Sequence, residues 1–313
     1  MKASVIVPTY NSEDTIKGCL NSLFNQTFDD KYEVIVVDDA SRDNTLIAAE
    51  KYFVKLLRQK HMGPAAARNL GAKNASGQIL LFTDADCIPE SSWISEMCAP
   101  FKDEQIAGAQ GRYKSRQNSI TARFAQYEIE ERYEIMSKNR YVDFIGSYSA
   151  AYTAEVFLGE GGFDEAFLSA SGEDADLSYR LESKGLKMVF APGAVVYHEH
   201  PSDILQYLKT KFYRAFWRVA LYRKNPKKTI KDSYTPQMLK IQIPLFYLAV
   251  MGLFFGSPAI LVLFTITTLP LSWQILKKDK MVGTFTPVFV FLRSAAFGFG
   301  LIFGILKSLK AKI

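Results

Sequence analysis

Residues 80–90 read LLFTDADCIPE, an apolar run that stops abruptly at two carboxylates, Asp84 and Asp86. The run has the length and composition of a β-strand that is covered on both faces. Burying one charge is costly and two adjacent like charges cost more, so the pair predicts a compensating partner at the strand end. Mg²⁺ or Mn²⁺, which take oxygen ligands, would be such a partner. The alternative interpretation is a turn, where Asp is common.

Three further β-rich runs precede this stretch: SVIVP at 4–8, EVIVVDD at 33–39 and FVKLL at 53–57. The second of them also ends in carboxylates, Asp38 and Asp39. Since Mg²⁺ in proteins usually binds one or two carboxylates together with substrate phosphates, acidic strand ends indicate a substrate that carries phosphate.

Helical patterns separate these runs. The Ala-rich segment PAAARNLGAKNASG at 64–77 begins with Pro and ends with Gly, as helices do. Ser12 can cap another helix, whose apolar residues follow at helical spacing: Ile16, Cys19, Leu20, Leu23 and Phe24. Strand and helix alternate, which predicts an α/β domain at residues 1–202 with a mostly parallel, mixed, Rossmann-like sheet and helices on both faces. Binding sites in such sheets lie at the carboxyl ends of strands.

The whole chain of 313 residues is basic, with a formal net charge of +6. This balance predicts an anionic partner, such as phosphate ligands, an anionic membrane face or nucleic acid. Its three Cys form no C-x-x-C pair, which predicts a reducing compartment and neither disulfides nor a zinc site. The N-terminus lacks the long apolar stretch of a signal peptide, so we expect this domain to stay in the cytoplasm.

Residues 203–240 have a different composition and form a predicted membrane-interface region. A helical stretch at 203–224 has one apolar face, and basic and aromatic residues lie beside that face: Lys211, Arg214, Arg218, Tyr213, Trp217 and Tyr222. Such a helix is typical of one lying on a membrane surface, although an amphipathic helix packed on the domain has a similar pattern. Because lipid headgroups can account for the positive charge, nucleic acid is not an expected partner.

Residues 241–313 form a predicted transmembrane region. The segment 243–276 has no charged side chain and suits two short spans broken near Gly256-Ser257-Pro258. A third apolar segment at 284–306 contains one charge, Arg293, which we expect to face protein or a lipid phosphate. Basic residues flank both segments and favour the cytoplasm. Three crossings place the C-terminus outside, whereas two crossings and a hairpin or re-entrant segment keep it inside, and both topologies remain open.

Five segments in order resemble the family-2 inverting glycosyltransferases, which have the GT-A fold: VIVPTYNSEDTI, EVIVVDDASRDNT, GPAAARNLGAKNASGQILLFTDADC, GGFDE and SGEDADLSYRLESKGLKMVFAPGAVVYHEH. They cover nearly all of residues 4–200. The resemblance implies transfer of a sugar from a UDP or GDP sugar with the help of Mn²⁺ or Mg²⁺. Sugar-contacting residues would then lie in variable loops around 108–150.

The resemblance also implies roles for residues at the donor nucleotide. Asp39 would hold the base or ribose, with Asp38 as the nearby alternative, and Arg68 would reach the nucleotide. Asp84 would contact the ribose side, and Asp86 would ligate the metal at the pyrophosphate. The first loop would contact the nucleotide through three residues, Pro8, Tyr10 and Asn11, and Asn69 would brace the loop.

The segment GEDADL supplies the carboxylates that inversion needs, because a base must take the proton of the acceptor. By the resemblance, Asp174 is the base, with Glu173 as the second candidate. The alternative is a negatively charged helix start favoured by the helix dipole. The small residues of the preceding LSASG loop would let a substrate approach closely. His198, in VVYHEH, would approach the diphosphate or the metal.

Processive synthases of this family carry a Q-x-x-R-W motif before their membrane spans, and this chain has YRAFWR at 213–218 instead. The difference argues against a chain-extending synthase. Arg214 and Arg218 would instead meet the phosphate of a lipid acceptor.

The sequence therefore predicts a membrane-bound, metal-dependent, inverting glycosyltransferase with its catalytic domain on the cytoplasmic face of the cell membrane. The expected acceptor is lipid-linked: a polyprenyl phosphate, a lipid-linked saccharide or a glycolipid. Two alternatives are a processive polysaccharide synthase and a non-catalytic nucleotide-binding assembly protein. A nucleotidyltransferase would be expected to carry a Gly-rich phosphate loop near the first strand, and VPTYNSEDT at residues 7–15 contains no Gly.

Overall fold

The computed structural model describes residues 2–167, 172–229 and 232–310. Contacts divide the chain into two compact units. The first comprises residues 1–116 and 136–199, and the second comprises residues 117–135 and 200–313. The domain boundaries predicted at 202 and 240 stay a prediction. The contact units differ from the predicted regions, because residues 117–135 pack with the C-terminal helices and no division falls near 240 within the described range 232–310.

Elements are numbered along the whole chain, and the first unit contains most of them. Its strands are β1 (Ala3–Thr9), β2 (Tyr32–Asp38), β3 (Lys55–Arg58), β4 (Ile79–Thr83), β5 (Ile88–Pro89), β6 (Ile106–Lys114), β7 (Ser149–Thr153) and β8 (Lys187–Tyr197). Its helices are α1 (Ile16–Phe24), α2 (Thr45–Ala49), α3 (Pro64–Lys73), α4 (Trp93–Cys98), α6 (Ala154–Gly159) and α7 (Glu173–Ser183).

In the described chain these strands form one eight-stranded sheet in the order β3-β2-β1-β4-β7-β6-β8-β5. Strands β3, β2, β1 and β4 run parallel to one another, and β6 is parallel to β8. Strand β7 pairs antiparallel with both β4 and β6, and β5 pairs antiparallel with β8. The predicted mixed α/β sheet is confirmed. All residues of β1 and β4 are buried, as their continuous apolar composition requires.

Helix α3 packs closely on this sheet because Gly71 faces β1. A Cβ atom at Gly71 would lie 2.5 Å from Ile6 Cγ2, which leaves no room for a side chain. Helix α1 begins later than its predicted cap, so the expected cap at Ser12 is wrong. The backbone N–H of Ser12 donates to Thr45 Oγ1 (2.7 Å) and that of Glu13 to Asp43 (3.1 Å), so this segment is held by the loop after β2.

The second unit is helical, with α5 (Ile120–Ser137, of which residues 120–135 belong to this unit), α8 (Ile204–Lys224), α9 (Gln237–Phe254), α10 (Ala259–Leu276) and α11 (Lys280–Lys310). Among the described residues, three helical segments are long and apolar enough to cross a membrane: α9, α10 and Lys280–Leu309. The predicted break between the first two is confirmed by a turn in which Gly256 has φ +75°. Variable loops are expected around residues 108–150, but part of this range forms β6 and α5.

A buried cluster of polar residues joins the helices of this unit. Arg293 of α11 binds Glu128 of α5 (2.7 Å) and donates to Gln242 of α9 (2.7 Å). The expectation that Arg293 faces protein is confirmed, since it is 4% exposed. Lys211 was expected beside the apolar face of α8 at the membrane surface, and this is wrong, because its ammonium is buried against Glu128 (2.7 Å). Burial raises the pKa of Glu128, but the charges of Lys211 and Arg293 outweigh it and hold the pKa below its ordinary value.

Candidate functional site

The carboxyl ends of β1, β2 and β4 meet beside the start of α3, because these strands are parallel neighbours in the sheet. Together they border a cavity of about 390 Å³. Six residues predicted from the sequence line it: Pro8, Tyr10, Asp39, Arg68, Asp84 and Asp86. Cavities that hold small ligands have volumes of about 300–1,000 Å³. This one is therefore large enough for a nucleotide.

Asp39 organises the wall of the cavity formed by residues 59–63. Its carboxylate is 3% exposed and accepts hydrogen bonds from the backbone N–H of Met62 (2.8 Å) and of Gly63 (2.9 Å). Gln59 donates a third hydrogen bond, at 2.7 Å. The carboxylate thus holds the loop that leads into α3.

His61, which sequence reasoning left unassigned, lies on the same wall. Its Nδ1 is 2.9 Å from Asp39 Oδ2, and its ring packs on Tyr10 with centroids 4.3 Å apart. The two rings give the cavity an aromatic surface beside a carboxylate. One sequence signal could have found His61: it follows β3, which neighbours β2 in a parallel sheet, so the loop after β3 must lie beside Asp39.

Asp38 and Asn11 are predicted to contact the nucleotide, but both bind the loop after β2. In the described part of the chain, neither lines the cavity. Asp38 is fully buried and accepts a hydrogen bond from the N–H of Ser41 (3.2 Å). Asn11, with φ +48°, accepts one from the N–H of Arg42 (2.8 Å). Their predicted contacts with the nucleotide stay predictions.

Arg68 forms a buried ion triad with two carboxylates. Its Nη2 lies 2.7 Å from Asp84 Oδ1 at the end of β4, and its Nη1 lies 3.0 Å from Glu173 Oε1 at the start of α7. Burial lowers the pKa of the guanidinium, but the charges of Asp84, Glu173 and Asp174 outweigh it and raise the pKa above its ordinary value. Both terminal nitrogens of Arg68 therefore bind protein carboxylates, and the triad links β4 to α7.

Asp174, the predicted base, occupies the first turn of α7 and is half-buried. Burial raises the pKa of the nearby Tyr152 phenol, and the charge of Asp174 raises it further. Glu173, the second candidate, is 1% exposed and bound to Arg68. Most of the LSASG loop, residues 168–171, lies outside the described residues. Its last residue, Gly172, has φ +142°, a conformation that favours glycine.

The loop that carries GGFDE is braced from α3 and α7. Asn69 donates from Nδ2 to the carbonyl of Phe163 (2.8 Å) and accepts from its N–H (2.9 Å). Arg180 donates from Nη2 to the carbonyl of Gly162 (2.6 Å). Asn69 thus braces the loop at residues 162–165, and its predicted bracing of the first loop stays a prediction.

Asp86 and His198 lie together beyond the end of β4, with Oδ1 and Nδ1 3.6 Å apart. Their ligand atoms and Cys87 Sγ fall within 4.8 Å of one another. Burial raises the pKa of the Cys87 thiol well above its ordinary range. Partial burial raises the pKa of Asp86, but His198 outweighs this and holds it below the ordinary value. A carboxylate and an imidazole can both bind Mn²⁺, and two protein ligands would leave coordination positions on the ion for phosphate oxygens.

The imidazole of His198 is held in place by an aromatic stack. Tyr113 of β6 stacks on it with centroids 4.7 Å apart, and Tyr148 stacks on Tyr113 at 3.6 Å. The stack fixes the plane of the ring next to Asp86.

Arg214 and Arg218, predicted to meet a lipid phosphate, belong to α8 in the second unit. Arg214 is exposed, and Arg218 is half-buried and donates to Thr235 Oγ1 (3.1 Å). Arg218 also lies over the ring of Tyr222, 5.6 Å from its centroid.

Residues 4–157 match the model of glycosyl transferase family 2. Glycosyltransferase AglE of Haloferax volcanii is 29% identical over 209 residues, which are 62% of this chain and 66% of AglE. The poly(ribitol-phosphate) β-N-acetylglucosaminyltransferase TarS of Staphylococcus aureus is 50% identical over 93 residues, 28% of this chain and 16% of TarS. The chain thus spans less than two thirds of the length of these curated relatives.

Among solved structures, the mannosyltransferase PcManGT of Pyrobaculum calidifontis, in complex with GDP-Man and Mn²⁺, has a similar fold. It is 21% identical, the match covers 99% of this chain and 88% of PcManGT, and the TM-score is 0.64. The family match covers β1 to β4 and the aspartates that follow β2 and β4. Residues 4–157 therefore belong to a family-2 glycosyltransferase domain, and the protein has the GT-A fold.

Proposed function

We propose that the protein is an inverting, metal-dependent glycosyltransferase that moves a sugar from a nucleotide diphosphate sugar to a lipid-linked acceptor. One observation carries the proposal: a single cavity at the carboxyl ends of three parallel strands brings Asp39, Arg68, Asp84 and Asp86 together. The rings of Tyr10 and His61 line the same cavity, and its carboxylates would face a ribose and a diphosphate bound through a cation.

In the proposed donor complex the base lies against Tyr10 and His61 and meets Asp39. The ribose lies toward Asp84, and the diphosphate lies toward Asp86. UDP and GDP remain the candidate nucleotides. PcManGT binds GDP-Man in its solved complex, which supports a donor of this class.

Asp86 and His198 would hold Mn²⁺ or Mg²⁺, since they supply an oxygen and a nitrogen ligand and leave room for phosphate oxygens. When bound, the cation neutralises the negative charge that develops on the leaving diphosphate. The aromatic stack of Tyr113 and His198 holds the imidazole ready for this role.

The protein residues then position the acceptor and remove its proton. The acceptor oxygen attacks the anomeric carbon from the face opposite the diphosphate, the bond to the diphosphate oxygen breaks, and the configuration inverts. Asp174 accepts the proton of a hydroxyl acceptor. Arg68 and Glu173 hold the start of α7, so that Asp174 keeps its place relative to the donor cavity.

The apolar helices and the basic helix α8 support a membrane-bound enzyme with a lipid-linked acceptor. Nucleotide sugars are available in the cytoplasm, so the catalytic unit would lie on the cytoplasmic face of the cell membrane. Arg214 and Arg218 would bind an acceptor phosphate. Full activity of Arg214→Ala with a phosphate-bearing lipid would exclude that role for Arg214.

A thermal-shift panel of nucleotide sugars, with and without Mn²⁺, tests the proposed function. A ligand that binds only the folded state stabilises it by about 2.7 kcal/mol at a hundred times its Kd. We expect one UDP or GDP sugar to raise the unfolding temperature of the purified protein only when Mn²⁺ is present. Free sugars and adenosine diphosphate serve as controls. If no nucleotide sugar shifts the protein in native lipid, the proposal is wrong.

Asp174→Asn tests the base and the acceptor class in one comparison. A general base contributes about 10²–10⁴-fold, so we expect transfer to a hydroxyl acceptor to fall by that factor. An acceptor phosphate is already ionised, so the rate of sugar transfer to a phosphate acceptor should fall less than about tenfold. Initial rates of the variant with hydroxyl-bearing and phosphate-bearing lipids make the measurement. Equal activity of Asp174→Asn and wild type on a hydroxyl acceptor would rule out Asp174 as the base.

A further inference from the structure

Helices α8 and α11 lie side by side and run in the same direction. The ring of Tyr207 contacts that of Phe289 (centroids 6.3 Å apart), and further along the ring of Phe212 contacts that of Phe303 (5.9 Å). At the far end, the guanidinium of Arg223 donates to the carbonyl of Ser308 (3.3 Å). Residue numbers rise together along both helices, so α11 follows α8 from its first turn to its last.

The two helix backbones touch through glycines of α11. A Cβ atom at Gly300 would collide with the carbonyl oxygen of Phe212, and one at Gly304 would lie 2.6 Å from the carbonyl oxygen of Phe216. Small residues permit such close approach of helices. No lipid fits between the two helices there, so this part of α11 has the same depth in a membrane as α8.

Helix α8 cannot cross a bilayer. It carries six basic residues, and Lys209 and Arg214 are exposed, Arg214 near the middle of the helix. Each charge at the centre of a membrane helix costs about 2.5–3.5 kcal/mol on insertion scales. Basic residues with aromatic neighbours are instead typical of a helix that lies at the lipid headgroups.

The other end of α11 is also held in charged surroundings. Asp279, just before α11, pairs with Arg123 of α5 (2.8 Å), and Lys278 pairs with Glu130 of α5 (3.1 Å). Helix α5 is rich in charged residues, and its chain continues at both ends directly into the first unit.

We propose that α11 lies along the membrane surface beside α8 and does not cross, although its composition is that of a span. The chain then enters the bilayer only through the tip of the α9–α10 hairpin, because the middle of the hairpin packs on α11: Phe264 contacts Phe291 (ring centroids 5.7 Å apart) and Tyr247 contacts Phe299 (6.0 Å). Both ends of α11 then stay on the face of the membrane from which the hairpin enters. Exposed apolar side chains of α11 would contact lipid tails at the surface: Phe299, Ile302, Phe303, Leu306 and Leu309. The proposal rests on the membrane attachment in the proposed function and not on sugar transfer.

The α9–α10 hairpin is suited to be the inserted element. It has no charged residue between 243 and 276, and at its tip Phe254 and Phe255 are 86% and 76% exposed. Trp273 is exposed nearer the opposite end, with the ammonium of Lys277 5.4 Å from its ring centroid.

Depth measurements by spin labelling test this arrangement. Full-length protein with a label at Ile302→Cys, Leu306→Cys or Leu309→Cys is placed in vesicles of phosphatidylcholine and phosphatidylglycerol. Phe254→Cys is the deep reference, and Phe53→Cys, at a 98% exposed residue, is the aqueous one. The three native cysteines are buried, which limits background labelling. We expect equal, shallow depths at the three α11 positions. A crossing helix would separate Ile302 and Leu309 by roughly 10 Å, and that result overturns the proposal.

Reporter fusions give a second test that changes no residue of the chain. Green fluorescent protein and alkaline phosphatase are fused in turn to either end of the full chain in cells. We expect both ends to report the same side of the membrane. Reporters on opposite sides would mean that α11 crosses, whatever the spin-label variants show. Neither measurement depends on enzyme activity, so failure of this proposal and failure of the proposed reaction can be told apart.

Discussion

Replacing Asp86 with alanine is expected to lower the rate of sugar transfer by about 10³-fold. Stabilisation of a leaving group by a cation contributes several kcal/mol, and each 1.4 kcal/mol corresponds to about a tenfold change in rate. Asp86 is half-exposed at the cavity, so its loss should barely change the unfolding temperature. Transfer rates, and the Mn²⁺-dependent thermal shift with the donor, make the measurement.

Glu104→Ala is the matched control, because it also removes one carboxylate but from an exposed position that does not line the cavity. We expect this control to keep wild-type activity. His198→Ala should weaken the response to Mn²⁺ as well, since its imidazole neighbours the same carboxylate. A donor shift that still requires Mn²⁺ in Asp86→Ala would show that the metal is held elsewhere.

Arg68→Ala is expected to destabilise the protein by about 3–5 kcal/mol, because breaking a buried ion pair leaves an uncompensated charge in the interior. The carboxylate of Glu173, with its side chain 2% exposed, would lose its cation. Thermal and urea unfolding of the purified variant in detergent would measure the loss. Arg42→Ala, at an exposed arginine, is the matched control and should stay within about 0.5 kcal/mol of wild type.

Adding Glu173→Gln to Arg68→Ala distinguishes the triad from simple loss of packing. Once the buried carboxylate is neutral, the double variant should be more stable than Arg68→Ala alone. The kinetics of Arg68→Ala distinguish two roles of Arg68. If Arg68 binds the nucleotide, the KM for the donor should change. If Arg68 holds the start of α7 in place, kcat should fall. From its two ion pairs we expect kcat to fall. An Arg68→Ala protein as stable as wild type would contradict the buried triad.

Much of the first unit could be predicted from local patterns. The continuous apolar runs of β1, β2 and β4 report burial on both faces, and the alternation with α1 and α3 indicates parallel strands. Sites in such sheets lie at the carboxyl ends of strands, so the acidic strand ends at Asp39, Asp84 and Asp86 indicated the edge that borders the cavity. The five segments of the family resemblance supplied the proposed roles, which the geometry of the chain by itself does not assign.

Contacts between residues far apart in sequence could not be predicted in this way. Arg68 and Glu173 are 105 residues apart, and Glu128 and Arg293 are 165 apart. No local periodicity records such a pairing, because it depends on which elements the fold brings together. For the same reason α5 was expected to be loops near a sugar, whereas its residues 120–135 pack in the second unit.

The stretch LLFTDADCIPE and the apolar runs before it indicated a buried parallel sheet with an acidic edge, because burial on both faces requires continuous apolar strands. The long apolar segments 243–276 and 284–306 indicated helices of membrane length. Which charges meet was decided only by the tertiary structure. It bound Arg68 between two carboxylates, placed His198 beside Asp86 and set α11 against the basic helix α8. Charge pairing and helix depth depend on neighbours in space, and an apolar composition such as that of α11 is the same for a helix that crosses a membrane and for one that lies on it.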